Sequence, residues 1–181
     1  MTKVYECRPS VEDDRPQIDF EDPENGKNDW LAVGEVIGGT RPVTEFPTVS
    51  VQVSHPGASQ WDCYMDGGVR GLFSQRFVDA VGMAAFQGIT LLPASLNGTT
   101  YYFLRCEKPV DCFDRSNSVF ETFAHDHSRI MDVSHYAFRS ELLPADACFV
   151  LPELPDLLLT ESVVQRLQAA RLMGVRIQPL P

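Results

Sequence analysis

An α+β fold, with a largely antiparallel sheet and a few helices, is the class that the sequence predicts, and three observations support it. The run "TVSVQVS" alternates valine with polar residues, which is typical of a half-buried strand. Asn97 and Gly98 stand between two runs of β-forming residues and indicate a hairpin. Two segments, 72–93 and 158–179, each combine a helical pattern, a glycine and a short apolar strand. Because strands outnumber helices and a hairpin is indicated, antiparallel pairing is expected.

Residues 1–29 differ in character from the rest of the chain. They hold nine acidic and four basic side chains, so they carry half of the net charge of −10. This polar stretch contains three prolines and predicts an acidic, extended arm with one short strand at "KVYEC". The chain of 181 residues is short enough to form a single domain over residues 1–181.

Two local patterns place the next elements. The stretch "DWLAVGEVIGGTRP" interrupts its apolar residues with glycines, and it predicts a buried but irregular connection. The hairpin is predicted to pair residues 89–96 with residues 99–105. Asn97 and Gly98 suit its turn because both residue types tolerate positive φ.

The two similar segments align at a constant offset of 86 residues. Ser74 and Thr160 stand where helix N-caps are needed, because their hydroxyl groups can accept a hydrogen bond from a first-turn amide. Gly88 and Gly174 follow the helical patterns, and they predict left-handed residues that end the two helices. Each copy is therefore predicted to be a helix, a glycine stop and a returning strand that together serve the scaffold.

Composition and charge exclude several functions. A net charge of −10 repels nucleic acids and anionic membranes and favours cationic partners. No apolar run approaches the roughly 20 residues that span a bilayer, and the first residues lack the apolar core of an export signal. Five cysteines without paired spacing suit reduced thiols, with Cys63 and Cys106 as core residues. These observations predict a soluble cytoplasmic protein that binds neither nucleic acid nor membrane.

Histidines offer the sharpest candidate for chemistry. In "HDHSRIMDVSH", His125 and His127 would share one face of a strand, and Asp132 or His135 could complete a metal site. No cysteine or glutamate cluster accompanies them, so a polar turn or an exposed strand is the simpler interpretation. No metal is predicted, and a metal-dependent enzyme that uses His125, His127 and His135 stays an alternative.

Other motifs predict structure rather than catalysis. The run "DCFDRSNS" resembles a loose calcium loop through Asp111 and Asp114, but it lacks the central glycine and the closing glutamate, and Asx-turns explain it more simply. The run "GEVIGGT" lacks the lysine of a phosphate-binding loop, and the chain has no Gly-x-Ser-x-Gly elbow. The chain is therefore predicted to use no cofactor and to be no enzyme.

The acidic stretch is the remaining candidate site. Carboxylates beside aromatic side chains such as Phe20 and Trp30 are suited to fast and tight capture of a basic partner. Solvated surface without a partner is the alternative interpretation of this charge. The residues predicted to contact a partner are Glu12, Asp13, Asp14, Asp19, Glu21, Asp22, Glu24 and Trp30.

Four blocks of sequence resemble one family of bacterial proteins. In chain order they are "LFSQRFVDAVGMAAFQGITLLP", "TTYYFLRCEKPVDCFDRSNS", "HYAFRSELLPADACFV" and "LLLTESVVQRLQAARLMGVRIQPL". Their capped helices, tyrosine-rich strand, Asp-containing turn and "FR" strand resemble the immunity proteins of polymorphic toxin systems, specifically immunity family eleven. The resemblance covers residues 71–181 as an immunity-family-like core, whereas residues 1–70 match nothing in it.

The resemblance implies a cytoplasmic protein that binds a cognate toxin protein and blocks it, with no catalytic residues to carry over. If that toxin is a nuclease, it has a basic face for its substrate, which acidic side chains of this chain could occupy. Two alternatives stay open, namely a non-enzymatic regulatory or ligand-binding module and the metal-dependent enzyme. A partly uncovered sheet also leaves a homodimer open.

Overall fold

A computed structural model of the chain describes residues 3–9, 18–20, 30–53, 61–64 and 71–181. The helices are α1 (Trp30–Ile37), α2 (Gln75–Val81) and α3 (Glu161–Ala170). The strands are β1 (Val4–Pro9), β2 (Ile18–Phe20), β3 (Val49–Val53), β4 (Cys63–Tyr64), β5 (Leu72–Ser74), β6 (Ile89–Leu96), β7 (Thr99–Cys106), β8 (Val119–Phe123), β9 (Asp126–His135), β10 (Cys148–Phe149), β11 (Leu157–Thr160) and β12 (Val175–Pro179). The predicted α+β class is confirmed.

The strands form a six-stranded sheet, a four-stranded sheet and a two-stranded ribbon. The six-stranded sheet has the order β2-β3-β6-β7-β5-β4, the four-stranded sheet has the order β10-β11-β1-β12, and the ribbon pairs β8 with β9. Among the strands described, β3 and β6 form a parallel pair, and the other neighbours run antiparallel.

The same arrangement of four strands and one helix occurs twice. The first unit contains β4-β5-β7-β6 with α2, and the second unit contains β10-β11-β1-β12 with α3. In each unit, one residue of the third strand pairs with residues on both of its neighbours. These triples are Leu72–Phe103–Leu92 in the first unit and Leu158–Glu6–Gln178 in the second. Since 158 − 72 and 178 − 92 both equal 86, the two units share one register.

The two units obtain their third strand from different parts of the chain. In the first unit, β7 follows β6 through a tight turn in which Asn97 and Gly98 have φ values of 50° and 80°. In the second unit the equivalent strand is β1, which lies between β11 and β12. The short strand expected at "KVYEC" is therefore present, and it occupies an interior position in its sheet.

Three apolar clusters hold these layers together. The central cluster packs α2 against α3 and against one face of both sheets, with Phe73, Phe77 and Leu159 at its centre. On the opposite face of the first sheet, α1 covers a second cluster that includes Tyr64 and Phe103. The opposite face of the second sheet packs against residues of β9 and of the connections around it. Alternation of side chains along each strand explains why both faces of each sheet carry a cluster.

The stretch "DWLAVGEVIGGTRP" is not an irregular connection, and this prediction is wrong. It forms α1, in which Ala32, Val33, Val36 and Ile37 are buried at helical spacing. Burial of this apolar face outweighs the roughly 1 kcal/mol that an interior glycine costs a helix relative to alanine. The helix stops where Gly39, with φ of 86°, follows its last turn.

Gly88 does not end the first predicted helix. Ser74 caps α2, since its hydroxyl accepts a hydrogen bond of 3.1 Å from the Phe77 amide. The helix finishes at Val81, and Gly82, with φ of 81°, is its C-terminal cap. A 3₁₀ turn then leads to Gly88, whose left-handed conformation begins β6. The prediction that Gly88 ends this helix is wrong, because Gly82, which precedes Gly88 in the chain, already ends α2.

Gly174 and Thr160 also differ from the expected roles. The second helix ends at Ala170, and Arg171 rather than glycine takes the left-handed conformation there, with φ of 49°. Gly174, with φ of 73°, instead leads into β12. Thr160 precedes α3 but makes no side-chain capping bond. Its hydroxyl instead accepts a hydrogen bond of 2.9 Å from the amide of Ala147, which directly precedes β10, and it is therefore not available to cap α3.

Candidate partner-binding surface

Most of the acidic residues predicted to contact a partner lie outside the described residues. These are Glu12, Asp13, Asp14, Glu21, Asp22 and Glu24. The backbone positions of the other two are described. Asp19 of β2 pairs with Gln52 of β3, and Trp30 is the first residue of α1. The predicted set is therefore spread over segments that flank β2.

The charge is concentrated in two connections of the chain. Residues 10–17 join β1 to β2, and residues 21–29 join β2 to α1; together we call them the acidic connections. They hold seven acidic and two basic side chains, which is half of the net charge of −10. Each connection runs from one strand or helix of the fold to the next, so its acidic residues are joined to the folded body at both ends.

The positive charge of the described body is largely paired internally. Seven of its arginines form ion pairs with carboxylates, and they are Arg8, Arg41, Arg76, Arg105, Arg115, Arg139 and Arg166. These pairs neutralise seven of the twelve basic side chains in the described ranges, so most of the positive charge there is not available to balance the acidic connections. A partner with a basic surface is the complement of this distribution.

Asp62 joins the two units through a buried carboxylate. It is 2% exposed, and it accepts hydrogen bonds from the Ser74 hydroxyl at 2.6 Å and from Arg76 Nη1 at 3.0 Å. It also accepts a bond of 2.8 Å from the Met173 amide of the second unit. A buried carboxylate with three donors is fully compensated, so this side chain serves as a structural link.

Two arginines connect each helix to the end of the other. Arg166 of α3 donates to the carbonyl oxygens of Ala80 at 3.2 Å and Val81 at 2.7 Å, at the end of α2. Arg76 of α2 donates to the carbonyl oxygen of Ala170 at 3.2 Å, at the end of α3. A cation at a helix C-terminus satisfies free carbonyl groups and opposes the negative end of the helix dipole.

A second carboxylate, Asp146, holds the start of α3. It accepts hydrogen bonds from the Ser162 hydroxyl at 2.7 Å and from Arg166 at 2.9 Å. These two donors keep the pKa of Asp146 below its usual value. Asp146 therefore supports Arg166 in the position from which it reaches α2.

A polar cluster lies on β1 of the second unit. The buried carboxylate of Glu6 accepts from Arg8 and from Gln178, the latter at 2.9 Å, and Asp156 lies 3.5 Å from Arg8. Burial and the neighbouring Glu6 carboxylate raise the pKa of Asp156 to about 6. Burial also raises the pKa of the nearby Tyr136 to about 12. The cluster anchors β1 between its neighbours.

The histidines do not converge on one site. His125 lies in the turn between β8 and β9 and packs on Phe123, with ring centroids 5.6 Å apart. His127 contacts the Thr122 hydroxyl at 3.1 Å, and His135 lies at the far end of β9, about 26 Å away for an extended strand. Within the described ranges, no group of three or more histidines, cysteines or acidic residues is placed to hold a metal.

The remaining motif residues have structural roles. The Asp114 carboxylate accepts from the Ser116 amide at 3.0 Å and from the Asn117 side chain at 2.7 Å, which is an Asx-turn. Cys63 is fully buried, and burial raises the pKa of its thiol; Cys106 is half-buried. A buried thiol with a raised pKa is a poor nucleophile.

The fold and these contacts define an α+β protein in which two like units are locked together. Comparison with protein-family models matches residues 76–180 to the immunity protein family Imm11. The match spans more than half of the chain, so the chain belongs to this family, and the resemblance seen in the sequence is confirmed. Membership implies a cognate toxin protein as partner. A search of curated proteins gave no match.

The matched segment contains α3, β11 and β12 of the second unit but not β1, their third strand. Among the helices described, none combines the length and apolar character needed to cross a membrane.

Proposed function

We propose that this immunity protein blocks its toxin by covering a basic surface of the toxin with the acidic connections. The observation that carries the proposal is the concentration of charge, since residues 10–17 and 21–29 together hold half of the net charge of −10. Dense charge on one partner speeds encounter with a surface of opposite sign and excludes partners of the same sign.

The fold supports this proposal by fixing the ends of both connections. Residues 10–17 start at β1, an interior strand, and residues 21–29 end at α1, whose apolar face is buried. A tethered charged segment loses less entropy on binding than a free tail of the same composition. The connections would therefore present their carboxylates at low cost.

A nuclease is the class of toxin that this mechanism fits best. Such an enzyme needs a basic face to bind the phosphates of its substrate, and carboxylates on an inhibitor can occupy that face. If so, the toxin domain should lose its binding to DNA or RNA when one equivalent of the immunity protein is added.

The experiment uses the full chain and the toxic domain of its cognate toxin, inactivated at its catalytic site. The test variant combines Glu12→Gln, Asp13→Asn and Asp14→Asn. We expect its Kd to rise about tenfold to a hundredfold at low salt, and the salt dependence of binding to become weaker. Isothermal titration calorimetry at two salt concentrations measures both effects.

A matched control removes the same amount of charge elsewhere. Glu45→Gln, Glu121→Gln and Glu141→Gln alter three exposed carboxylates that form no ion pair in the part of the chain that the structure describes. If the test and control variants weakened toxin binding equally, net charge alone would explain the weakening, and the acidic connections would have no specific role. Salt-independent binding, unchanged in the test variant, would remove the acidic connections from the interface.

A further inference from the structure

The second unit has a groove beside its last strand, lined by four apolar side chains and two polar ones. The groove lies between the end of α3 and β12 and has a volume of about 320 Å³. Its lining residues are Leu167, Gln168, Arg171, Leu172, Val175 and Ile177. Leu167 is buried at its base, whereas Leu172, Val175 and Ile177 are half-buried.

The strand that borders this groove has an open edge. In the four-stranded sheet, β12 pairs with β1 on one side and is the last strand on the other. The Leu180 amide donates to the Val4 carbonyl at 3.1 Å, so the alternation of an antiparallel ladder directs the amides of Arg176 and Gln178 to β1 as well. The amide and carbonyl groups of Val175 and Ile177 therefore point outward.

These outward groups have no partner among the residues that the structure describes. No hydrogen bond from the amide of Val175 or Ile177 occurs there. The backbone of Pro179 also points away from β1, like that of Val175 and Ile177. Proline is accommodated there because the amide that it lacks would face the open side of the strand. An exposed strand edge of this kind can accept one further strand.

The first unit closes the equivalent region. With the offset of 86 residues, Arg171 corresponds to Ala85 and Leu172 to Phe86, which are 3% and 8% exposed. The strand equivalent to β12 is β6, and its parallel neighbour β3 pairs with residues 94–96, beyond Ile89 and Leu91, the equivalents of Val175 and Ile177. The groove is thus a feature of the second unit that the shared architecture does not require.

The charge beside the open edge is opposite to that of the whole protein. Seven described arginines pair with carboxylates, and Arg129 lies over the Phe123 ring at 5.2 Å. Arg171 and Arg176 have neither kind of partner within the described ranges, and both flank β12. Arg171 lines the groove, whereas Arg176 lies on the opposite face of β12, because side chains alternate along a strand and Val175 and Ile177 face the groove. In a chain of net charge −10, two unpaired arginines beside the open edge favour an acidic partner.

We propose that the open edge of β12 and its groove bind an extended segment of the cognate toxin that carries alternating apolar and acidic side chains. The segment pairs with the Val175 and Ile177 backbone groups and places apolar side chains over Leu172. Its alternate carboxylates lie beside Arg176 on the opposite face of the sheet, and one further carboxylate at the end of the segment reaches Arg171. Strand addition gives affinity through main-chain hydrogen bonds and specificity through alternate side chains. The proposal rests on the proposed function, but it uses a different surface from the acidic connections.

Amide hydrogen exchange of the full chain, free and bound to the inactivated toxin domain, tests the geometry. In the complex, we expect the Val175 and Ile177 amides to exchange at least about tenfold more slowly. The Arg176 and Gln178 amides, which already bond to β1, should be protected in both states. A complex in which the Val175 and Ile177 amides keep their free exchange rates would overturn the proposal and leave the proposed function intact.

Charge reversal tests the chemistry of the partner. Arg171→Glu and Arg176→Glu are each expected to weaken toxin binding about tenfold. Lys108→Glu is the matched control, since Lys108 is exposed, belongs to no described ion pair and follows β7 of the first unit. Equal affinities for all three variants would contradict an acidic segment at this edge.

Two other outcomes also overturn the proposal, and they are distinguishable. Absence of any complex between the wild-type chain and the toxin domain would remove the proposed function together with this inference. A dimer in light scattering, with the Val175 and Ile177 amides protected before toxin is added, would assign the edge to a second copy of the chain.

Discussion

A β-carbon added at Gly174 would lie 2.5 Å from Cε3 of Trp61 and 2.8 Å from the carbonyl oxygen of Cys63. The residue also has φ of 73°, which L side chains rarely adopt. We therefore expect Gly174→Ala to lower the free energy of unfolding by about 3 kcal/mol, through strain and displaced packing. Urea denaturation followed by tryptophan fluorescence measures the change.

Gly82→Ala separates the two causes. Gly82 has a similar φ of 81°, but a β-carbon there would meet nothing within 4 Å. Because its ψ of 132° lies outside the left-handed helical region, this variant is expected to lose about 2 kcal/mol, the cost of the backbone conformation alone. Equal losses at Gly82 and Gly174 would show that the contacts with Trp61 and Cys63 relax freely.

Asp156 gives the stability of the protein a dependence on pH. Its pKa is raised to about 6 by burial and by Glu6, whereas the ordinary value is 3.8. The native state thus holds a proton that the unfolded state has already lost, and stability falls as pH rises from about 4 to about 6. Because the side chain is partly exposed and lies near Arg8, the expected loss is only on the order of 1 kcal/mol.

Asp156→Asn is the variant that isolates this carboxyl group. Compared with wild type, it should become relatively more stable as pH rises across that interval, because asparagine does not titrate. Thermal unfolding at pH 4, 5, 6 and 7 gives the comparison. A constant difference between the two proteins over this range would mean that the pKa of Asp156 is the same in the native and unfolded states.

Single residues show what local sequence can reveal. Asn97 and Gly98 were identifiable because a tight turn needs only neighbours in the chain. The partners of Gly174 and Asp62 were not, since Trp61 and Met173 lie far from them along the sequence. Contacts of that range leave no periodic or compositional signal.

At the scale of elements, β1 has more consequence than its short length suggests. It bonds to β11 on one side and β12 on the other, and Val4, Glu6 and Cys7 are buried. Deletion of residues 1–9 should therefore remove cooperative unfolding, since both neighbours would lose their ladder and expose apolar surface. Circular dichroism during heating would show a broad change in place of a single transition.

Lys3→Ala is the control for this deletion, because Lys3 is exposed and directly precedes the strand. Its midpoint of unfolding should match that of the wild type. A cooperative transition that persists in the deletion variant would mean that β11 and β12 can close on each other without β1.

The elements also differ in how well the sequence predicted them. The β6–β7 hairpin and the strand β3 carry strong local patterns. Helix α1 was missed because its glycines suggested a break, while the deciding factor was the burial of its apolar face against the first sheet. Tertiary packing of this kind overrides local propensity.

Across the whole molecule, Arg166 couples the two units, because it bonds to the end of α2 and to Asp146. We expect Arg166→Met to lower the free energy of unfolding by about 2 kcal/mol, since two helix carbonyls and a carboxylate lose their donor. Amide exchange should become faster in α2 as well as in α3.

Arg171→Met provides the comparison. Arg171 closes the same helix but bonds to no side chain or carbonyl through its guanidinium in the described ranges. Its replacement should leave exchange in α2 unchanged. If Arg166→Met accelerated exchange in α3 alone, the units would open independently of each other.

The binding surfaces were predicted less completely than the fold. The acidic connections were visible because net charge is a property of composition, and it needs no three-dimensional information. The open edge of β12 was not visible, since its exposure depends on β1 occupying the other side. The proposed binding edge therefore depends on a pairing between distant parts of the chain.

The position of β1 also sets a delay in the life of each molecule. Val4 pairs with Thr160, so the ribosome must add most of the chain after this strand is made before its partner exists. At bacterial elongation rates of up to roughly 20 residues per second, that interval is on the order of ten seconds. During it, the strand emerges without neighbours and is a natural target for chaperones. An immunity role that needs the folded protein at once would then depend on molecules completed earlier, so a standing stock of the protein would matter more than rapid synthesis on demand.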